Sequence, residues 1–252
     1  RLMDLVGLDV MGHVNQNLYE AVPHDPYRDI LKPEKTAAVM GQMIENKWLG
    51  NKTGQGFYKQ AYIDGKRVFL TLNPDTMEYF DGGSPRFESI GKVRKIESLG
   101  ERVRKLLEFD DRAANYVRNL LYYGFAYAAH VAPEIAYKLS DVDDAMRWGF
   151  AHEAGPFEMW DMLGVAETAA KMEDAGLKVA DWVKEMLAAG YDCFYKNGSV
   201  YDWETKSYTS RDIDKKVVVI NDLRAAGKEV ARNDSASLID MGDGVVLYEF
   251  HA

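Results

Sequence analysis

One cysteine, Cys193, stands in a chain of 252 residues. A lone thiol excludes any intrachain disulfide, and a reducing, cytoplasmic setting is the expectation that follows. Positive charge is also in deficit, since 40 Asp and Glu outnumber 31 Lys and Arg to give a formal net charge of -9. That balance argues against nucleic acid or an anionic membrane as a partner, because both are polyanions that attract basic patches. Long apolar runs are missing: the longest, LLYYGFAYAA at 120–129, is half the roughly 20 residues that a helix needs to span a bilayer. No signal-peptide pattern opens the chain. Its first residue is Arg1 rather than methionine, from which a longer parent protein is expected. Histidine is sparse too, and His13, His24, His130, His152 and His251 lie at no spacing suited to a metal. No metal site is expected.

What is present is enough apolar material for a core, with 47% hydrophobic and 28% charged residues. In GLDVMGHVNQNLYEAV, Gly7 suits a helix end and Asp9 a helix cap, after which Val10, Val14, Leu18 and Val22 share a face. Pro33 suits the first turn of the next helix, whose apolar side is Ala37, Met40, Ile44 and Leu49. The period then changes, and KRVFLTL and TMEYF flank NPD as a β-hairpin would, followed by a linker, DGGSPRFES. From Asp111 to Leu139 the spacing predicts one long helix, kinked near Pro133, where a backbone donor is missing. Shorter helices are predicted at 140–149 and 156–163, with a further one bringing Val179, Trp182, Val183 and Met186 inward. ASLIDMGDGVVLYEF reads as a last hairpin around a GDG turn.

Several landmarks occur twice, in the same order. Asp4 and Gly7 lie 157 positions before Asp161 and Gly164, Phe57 in GFYK lies 137 before Phe194 in CFYK, and Tyr79 lies 129 before Tyr208. The expectation is a mainly α protein of two related helical domains, each ending in a small β-hairpin, plus a C-terminal β-hairpin. The boundaries read as 1–62 for a first, N-terminally truncated helical domain, 63–95 for hairpin and linker, 96–210 for the second helical domain, and 211–252 for a linker and further strands.

DLVGLDVMGHVNQNLYEAV followed by MIENKWLGNKTGQGFYK closely resembles the C-terminal domain of 3-hydroxyacyl-CoA dehydrogenases. DVDDAMRWGF with GPFEMWDMLGV resembles a second copy of that domain, and NDSASLIDMGDGVVLYEFHA resembles the linker and first strand of an enoyl-CoA hydratase. The resemblance implies a bacterial fusion enzyme of fatty-acid β-oxidation that uses NAD to oxidise an acyl-CoA substrate. It implies that this helical region closes the substrate cleft and supplies homodimer contacts. It also implies that the Rossmann domain and its catalytic His–Glu pair lie outside this chain, so no catalytic or cofactor-binding residue is expected here. The family's one functional asparagine from the helical domain maps to Arg118 in the second copy, with Asn119 beside it in the wrong register. Arginine cannot accept a hydrogen bond. A stand-alone, non-enzymatic interaction module derived from the same domain is the alternative, and a helical domain from another β-hydroxyacid dehydrogenase is a third.

The remaining motifs read as fold determinants. TGQGFYK follows a helix and lacks the third glycine of a dinucleotide cradle, so it reads as a structural turn. His152–Glu153 is followed by Pro156, which excludes a zinc-protease helix, and Cys193 has no activating neighbour. The DVDDAM and LEFDDR clusters read as helix caps and solvated faces. The positions expected to fix the fold are therefore Asp4, Gly7, Asp9, Gly56, Phe57 and Tyr58 in the first copy. Their counterparts are Gly155, Pro156, Phe157, Asp161, Gly164, Phe194 and Tyr195 in the second.

Overall fold

Glycine ends the first helix of the chain and starts the second. In the computed structural model, which describes residues 1–31, 34–211 and 217–251, α1 (Leu2–Val6) stops at Gly7, whose φ of 105° is open only to a residue without Cβ, and α2 (Leu8–Ala21) follows. Pro33 lies outside the described residues, and α3 runs over Glu34–Glu45. The chain divides into two units, Arg1–Arg86 and Phe87–Ala252.

The first unit buries Leu8, Val39, Met43 and Leu72 as its core, with Trp48, Phe57 and Tyr79 packed against it. Its sheet has three strands, β1 (Tyr58–Ile63), β2 (Lys66–Leu72) and β3 (Tyr79–Phe80), in antiparallel order. Two features differ from the sequence reading. Asp9 does not cap α2, which begins one residue earlier, and instead pairs with Lys52 at 2.5 Å. Val10, Val14 and Leu18 do share a face, but each remains more than 40% exposed.

In the second unit, α4 (Glu88–Val93), α5 (Leu99–Leu107), α6 (Arg112–Ile135), α7 (Leu139–Phe150), α8 (Pro156–Leu163), α9 (Val165–Asp174) and α10 (Asp181–Ala188) enclose a core rich in aromatic rings. Phe125 stacks on Trp160 at 5.3 Å, and Phe194 meets Phe157 and Trp160 edge-on. Asp111 caps α6 by accepting from Ala114 N–H, as the LEFDDR cluster predicts, and it also binds Ser89 of α4. The long helix ends at Ile135 rather than reaching Leu139, which opens α7. It runs through Pro133, whose absent N–H leaves the Ala129 carbonyl unbonded within the helix; the Trp182 indole N–H donates to that oxygen at 2.7 Å.

A second three-stranded sheet, β4 (Tyr195–Lys196), β5 (Ser199–Asp202) and β6 (Ser207–Ser210), closes this helical body. Beyond it lie α11 (Ile220–Ala225) and a third sheet of β7 (Glu229–Arg232), β8 (Ala236–Gly242) and β9 (Val245–Phe250). Three hairpins turn on the same device. Asp64–Gly65, Asn197–Gly198 and Asp243–Gly244 each place two successive residues at φ between 51° and 76°, the two-residue turn that matches strand twist. Because the first two turns add strands that the hydrophobic pattern alone did not reveal, the protein is a mixed α and β structure, about 49% helical, rather than mainly α.

Candidate functional site

A carboxylate on the first helix fastens the turn of the first unit. Asp4, 3% exposed, accepts from Phe57 N–H through Oδ1 and from Tyr58 N–H through Oδ2, both at 2.8 Å. Gly56 and Gly50 make this approach possible: a Cβ on Gly56 would collide with the Asp4 carboxylate, and one on Gly50 with the Asp4 backbone. Tyr79 completes the corner by donating its O–H to the Gly56 carbonyl at 2.6 Å. Burial, with the Asp4 charge adding to it, pushes that phenol up to about 12.

The same pattern of contacts recurs in the second unit. Asp161 of α8 accepts from Phe194 N–H at 2.7 Å and Tyr195 N–H at 2.8 Å, and Tyr208 donates to the Cys193 carbonyl at 2.7 Å. Gly164 ends α8 with φ of 90°, as Gly7 ends α1. Where Gly56 admits no side chain, Cys193 carries one, and its Sγ lies 3.3 Å from the Tyr208 hydroxyl. Burial raises that thiol, the opposite of what a nucleophile needs.

Asp143, in a cluster expected to supply helix caps and solvated faces, is fully buried. Gly155 has no side chain with which to cap α8, and Asp143 reaches over from α7 to take the N–H groups of Phe157 at 2.9 Å and Glu158 at 3.1 Å. A Cβ on Gly155 would collide with the Asp143 backbone, so this glycine is fixed by close approach. Pro156 occupies the first turn, Phe157 is wholly buried as expected, and Glu158 returns to accept from Gly155 N–H at 2.9 Å. Tyr195 adds its hydroxyl to Asp143 at 2.6 Å. Burial pushes Asp143 up to about 7 and Asp161 up to about 6, with the bonded donors pulling the other way. No sequence signal marks Asp143 as a cap, because its helix end lies more than a dozen residues downstream.

Chemically, these carboxyls are engaged in holding backbone. The amides of the TGQGFYK turn are spent as well, with Phe57 and Tyr58 on Asp4, and Thr53, Gly54 and Gly56 N–H on the carbonyls of Gly50, Asn51 and Tyr58. The turn therefore does not fit a dinucleotide pyrophosphate, which needs free N–H groups. Arg118 donates to the carbonyls of Leu107 and Phe109 at 2.8 and 2.7 Å, so its guanidinium caps the end of α5. Glu153 pairs with Arg102 at 3.0 Å. Ser237, His251 and Glu249 cluster in the third sheet, a grouping the sequence did not reveal. Serine and glutamate both meet the same His251 Nε2, at 2.7 and 3.9 Å, whereas a proton relay needs the acid on the other ring nitrogen. Ser237 is also only 1% exposed. Among the described residues, no group of three His, Cys, Asp or Glu is placed to hold a metal, and no helix is long and apolar enough to cross a membrane. A cleft of about 780 Å³ beside α7 is lined by Trp148, Arg147, Arg211 and Arg224, whose cations are each paired with carboxylates.

The glycine-flanked Asp4 corner lies within the segment that matches a known family. Residues 1–60 match the 3-hydroxyacyl-CoA dehydrogenase C-terminal domain. That segment contains Asp4, Gly7, Asp9, Gly56, Phe57 and Tyr58, the whole clasp of the first unit except Tyr79. Similarity to such dehydrogenases extends further along the chain. All of it aligns, at 35% identity over 254 residues, with 31% of a probable 3-hydroxyacyl-CoA dehydrogenase from Bacillus subtilis. A putative fatty acid oxidation complex trifunctional enzyme from Rickettsia prowazekii is 25% identical over 98% of the chain and 30% of its own length. One from Rickettsia felis is 28% identical over 63% of the chain and 20% of its own length. The chain thus spans about a third or less of the curated relatives it matches. No solved structure matches it.

Proposed function

We propose that the chain is the helical region of a larger NAD-dependent 3-hydroxyacyl-CoA dehydrogenase of fatty-acid β-oxidation, carrying two copies of the dehydrogenase C-terminal domain. The observation that carries this reading is the twin clasp: one carboxylate per unit holding two successive amides of an (F/Y)-containing turn, closed by a tyrosine hydroxyl on the residue before. In this reading residues 1–62 with their 63–95 extension form one copy and residues 96–210 the other. Residues 211–252 are the linker and first strands of a hydratase-like domain. The names of the relatives, a dehydrogenase and fatty acid oxidation enzymes, favour the same pathway.

The role assigned to the region is to close the acyl-CoA cleft and to supply dimer contacts in the cytoplasm. NAD and the groups that oxidise the alcohol belong to the parent enzyme. The second copy is structural, because Arg118 stands at the asparagine position and is committed to capping α5. Purified alone and given 3-hydroxybutyryl-CoA and NAD, the 252-residue chain is expected to produce no NADH. Robust NADH formation would place the catalytic groups inside it and defeat the reading.

A further inference from the structure

The inner face of α6 is packed and the outer one is bare. Tyr122, Phe125, Ala126, Ala129 and Ala132 are buried, whereas Tyr116 (68% exposed), Leu120 (61%), Tyr123 (47%) and Tyr127 (42%) follow one another at the spacing of a single helical stripe. From 119 to 133 the sequence carries no Asp, Glu, Lys or Arg. Gly124 lies on the same exposed side, and a Cβ added there would meet nothing within 4 Å. Glycine inside a helix costs stability relative to alanine, and nothing among the described residues requires it at this point. What its missing side chain permits is the close approach of another backbone.

The two ends of α6 are charged in the wrong sense. Arg112 sits in the first turn, at the positive end of the helix dipole, and Glu134 in the last, at the negative end. Both are exposed, and among the described residues neither forms an ion pair; the Arg112 guanidinium lies 5.9 Å from the centre of the Phe87 ring. They stand 22 positions apart (134 − 112), which at about 100° per residue puts them within about 40° of each other, along one flank of the stripe.

Building on the dimer role assigned above, we propose that α6 pairs antiparallel with α6 of a second copy of this chain, about a two-fold axis passing between Tyr123 and Gly124. Reversing the helix about that point sets Leu120 opposite Tyr127 and Tyr116 opposite Val131. Gly124 meets its own counterpart where the backbones come closest. Arg112 then lies about 17 Å along the helix from the axis, and the partner's Glu134 about 16 Å from it in the same direction. Each end charge thus meets its opposite, twice over by symmetry, and the adverse dipole contacts are offset. A parallel pair would set Arg112 on Arg112 and Glu134 on Glu134, so the end charges select the antiparallel sense and a self-complementary partner.

Sedimentation velocity on the whole chain over a wide concentration range tests the pairing. Arg112→Glu and Glu134→Arg each set like charges together at both ends of the pair, and each is expected to raise the dimer dissociation constant by about tenfold. Combining them should restore it. Either change improves the charge at its own helix end, so loss of the helix cannot mimic the effect. Gly124→Leu should abolish the pair with circular dichroism unchanged, and Tyr123→Cys in a Cys193→Ser background should be joined between copies by a short bis-maleimide. A dimer indifferent to these substitutions, no recovery in the double variant, or no cross-link at 123 would overturn the pairing while leaving the dimer role standing. A monomer at every concentration would overturn both.

Discussion

Asp4 contributes two hydrogen bonds that no neighbouring side chain duplicates, and both bonded amides lie at the point where the chain enters β1. Replacing it with alanine would strand two buried N–H groups, each worth about 1–3 kcal/mol when left unsatisfied. Asp4→Ala is therefore expected to lower the stability of the first unit by on the order of 3 kcal/mol, measured by urea denaturation. A change below about 0.5 kcal/mol, typical of an uncommitted surface position, would refute its role as a fastener. Asp4 and Asp161 were legible as a repeated pair, since both sit three residues before a glycine. Their bonding partners were not, because Phe57 and Phe194 lie 53 and 33 residues downstream. Asp143 was illegible altogether. A cap supplied by another helix leaves no local spacing to read.

At the scale of elements, α6 shows how a distant side chain completes a pattern read locally. Pro133 does remove a backbone donor, yet the helix continues to Ile135, with Trp182 of α10 supplying an N–H to the Ala129 carbonyl. Trp182→Phe keeps a large ring in the aromatic core and deletes that donor. A loss of about 1–3 kcal/mol is expected, from leaving a buried carbonyl unsatisfied. A thermal melt of the variant matching that of the parent would show that the carbonyl finds another partner. The strands teach a complementary lesson. Asp64–Gly65 and Asn197–Gly198 are strong two-residue turn signals that hydrophobic alternation alone did not expose, because β1 and β4 carry mixed polar and aromatic side chains. On α2, periodicity correctly grouped Val10, Val14 and Leu18, but a shared face is not the same as a covered one.

For the whole molecule, those exposed apolar faces bear on the proposed dimer contacts. Tyr116, Leu120, Tyr123 and Tyr127 recur along one side of α6, each more than 40% exposed, in addition to the α2 stripe. Contiguous apolar surface of this kind marks interaction sites in soluble proteins. Light scattering on the purified chain is expected to show concentration-dependent self-association, weakened by Leu120→Glu. A monomer at all concentrations would remove the dimerisation role from the proposed function while leaving the fold untouched.

Sequence alone determined the helices α1–α3, α6–α8 and α10 though not α4, α5, α9 or α11, the glycine corners that end α1 and α8, and the repeated landmarks, since these depend on residues a few positions apart and on backbone freedom that only certain side chains allow. Tertiary structure decided which carboxyls are buried, which carbonyl Trp182 rescues and which apolar faces stay open. Each of those is settled by groups distant in the chain, and the desolvation that raises Asp143 exists only once α7, α8 and β4 have closed around it.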